Sequence, residues 1–232
     1  MGNRFSRRLA RRMLYFRFLL KDRKRHNSLV LEHILGLPFL VLPGVFNPAL
    51  FWSSELLAEG ISSYPIHSDQ IVLDLGTGSG VAAVFAAKAG AQVIGIDINP
   101  EATRCASINA MLNKVEANTH FLTGDLFGPI PGRRFDLIIF NPPYFQGDPE
   151  AGIEEAFFSR NTIVRFLADL PLYLVSTGKA LIVLSSDSDL EGYRTSLAEN
   201  RLMDKALRQK HVFGETITIH EIQPVTERNR AA

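Results

Sequence analysis

Residues 71–80 read Ile-Val-Leu-Asp-Leu-Gly-Thr-Gly-Ser-Gly, and the fold turns on this stretch. Ile71 to Leu75 is a short apolar run broken only by Asp74, which suits a strand covered on both faces. Glycines 76, 78 and 80 follow, and Gly80 to Ala89 reads as a helix. The glycines let the backbone turn sharply and leave no Cβ between the chain and a ligand. Dinucleotide enzymes use a similar turn, but their G-x-G-x-x-G fingerprint, begun at Gly76, requires glycine at 81, where Val81 stands. Asp74 at the strand end would repel a pyrophosphate. It can accept from an ammonium group, directly or through water. The expected ligand is therefore a nucleoside bearing a cationic amino acid.

Downstream, apolar runs alternate with helical periodicity. Ala91 to Asp97 reads as a second strand, Glu101 to Asn113 as a helix, His120 to Leu122 as part of a short third strand and Phe135 to Phe140 as a fourth. Ile163 to Val175 and Leu190 to Asn200 read as helices on either side of a fifth strand, Ala180 to Leu184. Thr216 to Ile222 alternates polar and apolar residues, as a half-exposed antiparallel strand does. This alternation predicts an α/β fold whose mostly parallel sheet carries helices on both faces. Ligands of such sheets bind beyond the carboxyl ends of the strands. Asp97 stands about 20 residues past the glycine turn, where an acid can bind ribose hydroxyls. It can also cap the helix opening at Pro100, a job for which Asn99 competes better. Asp125, just past the third strand, can accept from the exocyclic amine of adenine, with Leu126 and Phe127 packing on the ring, or can serve as a turn residue.

Asn141-Pro-Pro-Tyr144 follows the fourth strand directly. Two prolines fix φ and remove two donors, so the loop is stiff and rich in free carbonyls. The side-chain oxygen of Asn141 and the carbonyl of Pro142 can both accept from one planar NH2 group. An amide or aromatic amine is a poor nucleophile because its lone pair is delocalised. Two acceptors holding its hydrogens favour pyramidal nitrogen and aim the lone pair at a methyl sulfonium, so catalysis needs orientation and electrostatics more than a shifted pKa. Tyr144 would stack on or wall the planar group. The alternative for these four residues is a proline-rich turn that happens to begin with Asn.

In this order, D-L-G-T-G-S-G at 74–80, I-D-I-N-P at 96–100, G-D-L-F at 124–127 and N-P-P-Y at 141–144 resemble the class I S-adenosylmethionine-dependent methyltransferases, in particular the HemK-type enzymes. The resemblance spans roughly Gly44 to Pro224. It implies a three-layer Rossmann-like fold, a mostly parallel sheet with an antiparallel C-terminal strand, and S-adenosyl-L-methionine as cofactor. It also implies a binding set: Asp74, Gly76, Thr77, Gly78 and Gly80 at the methionine part, Asp97 at the ribose and Asp125 at the adenine, with Ile98, Leu126 and Asn141 also binding the cofactor. Asn141, Pro142 and Tyr144 would grip the target nitrogen, and Gly152-Ile-Glu154 looks like a segment that follows the loop in this group. HemK-type enzymes methylate the glutamine amide of release factors, and relatives with the same loop methylate exocyclic amines of adenine or guanine. The implied acceptor is therefore a glutamine of a release-factor-like protein, alternatively an rRNA or tRNA base, and as a further alternative a small metabolite. HemK-type chains usually carry a proline followed by acids ahead of the glycine turn. Here Pro48 is followed by Ala-Leu-Phe-Trp with no acid until Glu55, and Gly44-Val-Phe46 is instead similar to ribosomal guanine methyltransferases and short HemK-like forms. Phe46, Phe51 and Trp52 can line an aromatic pocket for a base, or simply pack in the core.

The net charge of +1 hides an asymmetry: residues 1–25 hold ten Lys/Arg against Asp22 alone, and no Lys or Arg occurs between His26 and Lys88. This divides the chain into a basic arm at 1–38, helical or partly disordered, and a catalytic domain at 39–232. The arm suits contact with nucleic acid. A solvated tail, a membrane-surface helix over Arg4 to Leu20 and a targeting segment are the alternatives. No stretch approaches the ~20 apolar residues of a membrane span. Cys105 is the single cysteine, which excludes an intramolecular disulfide and fits a cytoplasmic protein; its place in a helix suits a small core residue. Histidines 33, 67, 120, 211 and 220 lack ligand spacing, so no metal is expected.

Overall fold

The computed structural model describes residues 28–142, 161–212 and 214–226. Its elements are β1 (Val30–Ile34), β2 (Leu37–Val41), a 3-10 turn (Pro48–Leu50), α1 (Trp52–Ser63), β3 (Ile71–Leu75), α2 (Val81–Lys88), β4 (Gln92–Asp97), α3 (Pro100–Leu112), β5 (Thr119–Thr123), β6 (Phe135–Phe140), α4 (Thr162–Tyr173), β7 (Leu174–Ser185), α5 (Leu190–Glu199), β8 (Leu202–Val212) and β9 (Glu215–Pro224). Seven strands form one sheet in the order β5-β4-β3-β6-β7-β9-β8. β3 to β7 are mutually parallel, while β9 runs antiparallel between β7 and β8. The expected α/β fold with an antiparallel C-terminal strand is the one observed.

Alternate residues of the central strands enter two separate cores, which explains their unbroken apolar character. Val72, Leu137, Ile139, Leu181 and Val183 pack on one side with Leu56, Leu57 and Ile61 of α1 and the alanines of α2. Leu73, Leu75, Ile138, Phe140 and Ile182 pack on the other with Phe166, Leu167 and Leu170 of α4 and Leu197 of α5. At about 0.8 kcal/mol per buried CH2, loss of either face would exceed the stability of a typical domain. From β3 the chain steps outward to β4 and β5, then returns to β6 on the opposite flank. In open sheets of this kind ligands bind at such a reversal, which here lies beyond the carboxyl ends of β3 and β6.

The departures from expectation have local causes. β8 carries Asp204, Lys205, Arg208 and Lys210 and exposes most of its residues, so no apolar pattern announces it. It forms because β9 supplies a ladder along its whole length, and its charges protect the sheet edge. The helix expected at Ile163 to Val175 stops at Tyr173, since Leu174 already pairs with Phe135 and its carbonyl accepts from Arg134 Nη1 at 2.9 Å. Ahead of β3 the chain forms the 3-10 turn and then α1, which runs on through Gly60 to Ser63.

β1 and β2 form a hairpin closed by Leu35 and Gly36, both at positive φ, as a two-residue turn between twisted strands requires. The boundary expected between 38 and 39 falls inside this hairpin, so residues 30–38 are strand and turn packed on the folded unit. Asn109, fully buried on α3, accepts from Leu40 N at 2.7 Å and donates to Leu40 O and Ser79 O, each at 2.8 Å. One amide thus ties the hairpin to the glycine turn. The rest of the arm, residues 1–27, lies outside the described residues.

Candidate active site

The strand register sets the geometry at these strand ends. Leu75 pairs with Ile96 on one side and with Phe140 on the other. The next residue of each strand is therefore level across three neighbours: Asp97 ends β4, Gly76 opens the turn after β3, and Asn141 follows β6. Adjacent strands lie about 4.8 Å apart, so these three share one short row. Asp97 pairs in turn with Thr123 on β5, which places Gly124 and Asp125 at the outer end of that row.

The glycine turn is held from both sides. Gly76, Gly78 and Gly80 have φ of 62°, 54° and 82°. A Cβ on Gly78 would have no neighbour nearer than 3.9 Å, so its outer face is open to a ligand; one on Gly80 would come within 2.9 Å of Ala106 Cβ on α3. Gly78 is therefore open on its outer face, whereas Gly80 is closed in by packing. Thr77 N donates to Ile96 O at 3.0 Å and Gly78 N to Asp97 Oδ2 at 2.8 Å, which pins the turn to β4.

Asp74 is buried, and its Oδ2 accepts from Thr77 Oγ1 at 2.7 Å and from Ala83 N at 3.1 Å. Its observable work is to brace the turn and the start of α2. Burial pushes its carboxyl from the ordinary 3.8 up to about 7, the two hydrogen bonds pull it down, and the Asp97 charge adds to the rise. Burial likewise raises Asp97, against the backbone donors of Gly78 and Asn99. The N-cap of α3 is Asn99, whose Oδ1 accepts from Glu101 N at 2.9 Å. Asp97 is thus left at the rim. Ile98 beside it is 60% exposed, an apolar platform at the site's edge.

Phe127 is buried, stacking on Tyr173 with centroids 4.2 Å apart and on Phe166 at 5.9 Å. Tyr173 of α4 takes its ring face, so little of the side chain is left for a ligand ring. Leu126, at a φ of 45°, is only partly buried. Asp125 Oδ2 lies 2.6 Å from Arg165 Nη2, a partnership with no sequence signal beyond the charge of Arg165 in a largely apolar helix. Asp125, Leu126, Arg165, Asp169 and Tyr173 border a cavity of about 500 Å3.

Phe46 and Phe51 stack on each other at 4.4 Å, while Trp52 is 47% exposed with the Lys210 ammonium 4.3 Å from its ring centre. Cys105 is fully buried, as a small core residue should be. Pro142 is buried and Asn141 half-buried; Tyr144 and Gly152-Ile-Glu154 lie outside the described residues. Among the described residues no group of three His, Cys, Asp or Glu could hold a metal ion.

This row, with its open glycine turn, rim carboxylate and stiff Asn-Pro step, has the features of a site for a nucleoside cofactor. Residues 36–216 match the profile of the methyltransferase small domain. The chain belongs to that family. Its cofactor is S-adenosyl-L-methionine, and it is a methyltransferase of the HemK-like group. A Methanocaldococcus jannaschii protein named as a protein N5-glutamine methyltransferase is 36% identical over 162 residues, covering 66% of this chain and 78% of the relative. The release factor glutamine methyltransferase of Koribacter versatilis is 40% identical over 124 residues, covering 52% of this chain but only 42% of the relative. The chain thus spans less than half of that enzyme. In fold, a ribosomal protein L11 methylase from Lactobacillus delbrueckii subsp. bulgaricus superposes with a TM-score of 0.59 at 23% identity, covering 78% of this chain and 82% of its own.

Proposed function

We propose that this methyltransferase acts on the side-chain amide nitrogen of a glutamine in a protein of the translation machinery. The strand register carries the reading: it puts Asn141 level with Gly76 and Asp97, at the point where the chain order of the sheet reverses. The names of the two relatives above support glutamine as the acceptor.

When bound, the cofactor supplies an electrophilic methyl on a sulfonium. Gly76 to Gly80 offer backbone to its amino-acid part, Asp97 accepts from the ribose, Ile98 and Leu126 flank the base and Asp125 accepts from its amine. Asn141 Oδ1 and the Pro142 carbonyl accept the two hydrogens of the substrate amide. That arrangement localises the nitrogen lone pair and directs it along the row towards Gly76. The amide nitrogen would gain the methyl as the methyl–sulfur bond breaks, the sulfonium leaving as a neutral thioether, and would lose one proton to solvent, so that a neutral secondary amide remains. Both acceptors sit on a step stiffened by proline, so little reorganisation remains at the moment of transfer.

The test is incubation of the purified chain with isotopically labelled cofactor and a release-factor protein, followed by mass spectrometry. The expected outcome is one methyl on one glutamine side chain. Label confined to RNA or to small metabolites would overturn the reading. A second reading, an exocyclic amine of rRNA, is favoured by the ten basic residues among the first 25. It requires acceptor affinity to fall steeply with salt, because phosphate contacts release counterions.

A further inference from the structure

Helix α4 meets the turn after β5 through an aromatic cluster and through an ion pair. Tyr173 stacks on Phe127 at 4.2 Å, and Arg165 Nη2 sits 2.6 Å from Asp125 Oδ2. Arg165, Asp169 and Tyr173 recur every four residues, so they share one face of the helix, and all three border the cavity beside Gly124 to Pro129. Phe166, between them, packs on Phe127 at 5.9 Å and on Phe140 at 4.9 Å. α4 therefore registers the turn of Asp125 against the strand that delivers Asn141.

The two points of contact differ in kind. The aromatic one is held by packing around the buried ring of Phe127. The ionic one is half-exposed, with side-chain exposures of 52% for Arg165 and 49% for Asp125. An aspartate so exposed has little packing to choose its rotamer. The Arg165 guanidinium supplies that choice, and it engages Oδ2 of a carboxylate that offers about four acceptor sites. Capacity for a further donor remains.

We propose that Arg165 is a positioning residue for adenine recognition, holding Asp125 as the acceptor for the exocyclic amine of the cofactor. The inference rests on the reading of Asp125 as the adenine ligand. Its mechanism is orientational: the ion pair removes the rotamers in which the carboxylate faces water, so fewer conformations are lost when the amine arrives. An exposed pair of this type biases an equilibrium by about two- to fivefold.

The experiment is calorimetric titration of the full chain with S-adenosylhomocysteine and with S-inosylhomocysteine, in which a carbonyl replaces the amine. The wild type should prefer the adenosyl compound. Arg165→Ala should lower that preference about two- to fivefold, and Arg165→Lys should restore most of it. In turnover with labelled cofactor, the cofactor KM of Arg165→Ala should rise while kcat stays within about twofold. Asp125→Ala should abolish the preference, and adding Arg165→Ala to it should change nothing more. Arg165→Ala that weakens both nucleosides equally, or keeps the preference that Asp125→Ala removes, would overturn the role of Arg165 and leave that of Asp125 standing. Retention of the preference in Asp125→Ala would instead overturn the assignment of Asp125, and the inference with it.

Discussion

Replacing Asp74 by asparagine should make the protein more stable than the wild type at pH 8 and nearly equal to it near pH 4. Asp74 is fully enclosed, and its carboxyl is raised from 3.8 to about 7 chiefly by burial. The folded value lies above the unfolded one. The contribution of this group therefore favours folding at low pH, is fully present below about 4, and is lost as pH rises through about 7. That rise corresponds to about 4 kcal/mol over the whole window, and roughly 3 kcal/mol of it falls between pH 5 and pH 8. An asparagine keeps an oxygen that can accept from Thr77 Oγ1 and Ala83 N, the two donors that meet Oδ2, but it has no charge to desolvate. Urea unfolding followed by far-ultraviolet circular dichroism at pH 5, 6, 7 and 8 measures the effect. What matters is the stability difference between variant and wild type, since any fixed cost of the amide cancels between pH values. The difference should move in favour of Asp74→Asn by roughly 3 kcal/mol from pH 5 to pH 8. Parallel pH profiles for the two proteins would refute the claim that Asp74 carries a buried, costly charge.

Three further outcomes are expected. Asn141→Ala should lower turnover by at least about a hundredfold while cofactor affinity stays within severalfold, because the lost acceptor serves the transition state; calorimetry beside a methyl-transfer assay separates the two. Asp97→Ala should weaken cofactor binding about tenfold or more, since it removes the proposed ribose acceptor together with the brace to Gly78 N; unchanged affinity in calorimetry would count against it. Gly80→Ala should destabilise the fold by about 1–3 kcal/mol, measured by thermal unfolding, because the position has a φ of 82° and its Cβ would crowd Ala106.

The strands at 71–75 and 135–140, the glycine turn and the N-cap at Asn99 are legible in the chain, because each depends on neighbours within a few residues. A run covered on both faces must be apolar throughout, a turn at positive φ needs glycine, and an N-cap must accept from a nearby amide. Those same local facts place Asp97 and Asn141 at strand ends, but they do not make them neighbours. Their shared row follows from strand order and register, which depend on pairings between segments dozens of residues apart. The hairpin, β8, the covering of Phe127 by Tyr173 and the pairing of Arg165 with Asp125 belong to the same class. Each involves a residue whose own chemistry permits several partners, and long-range packing selects one.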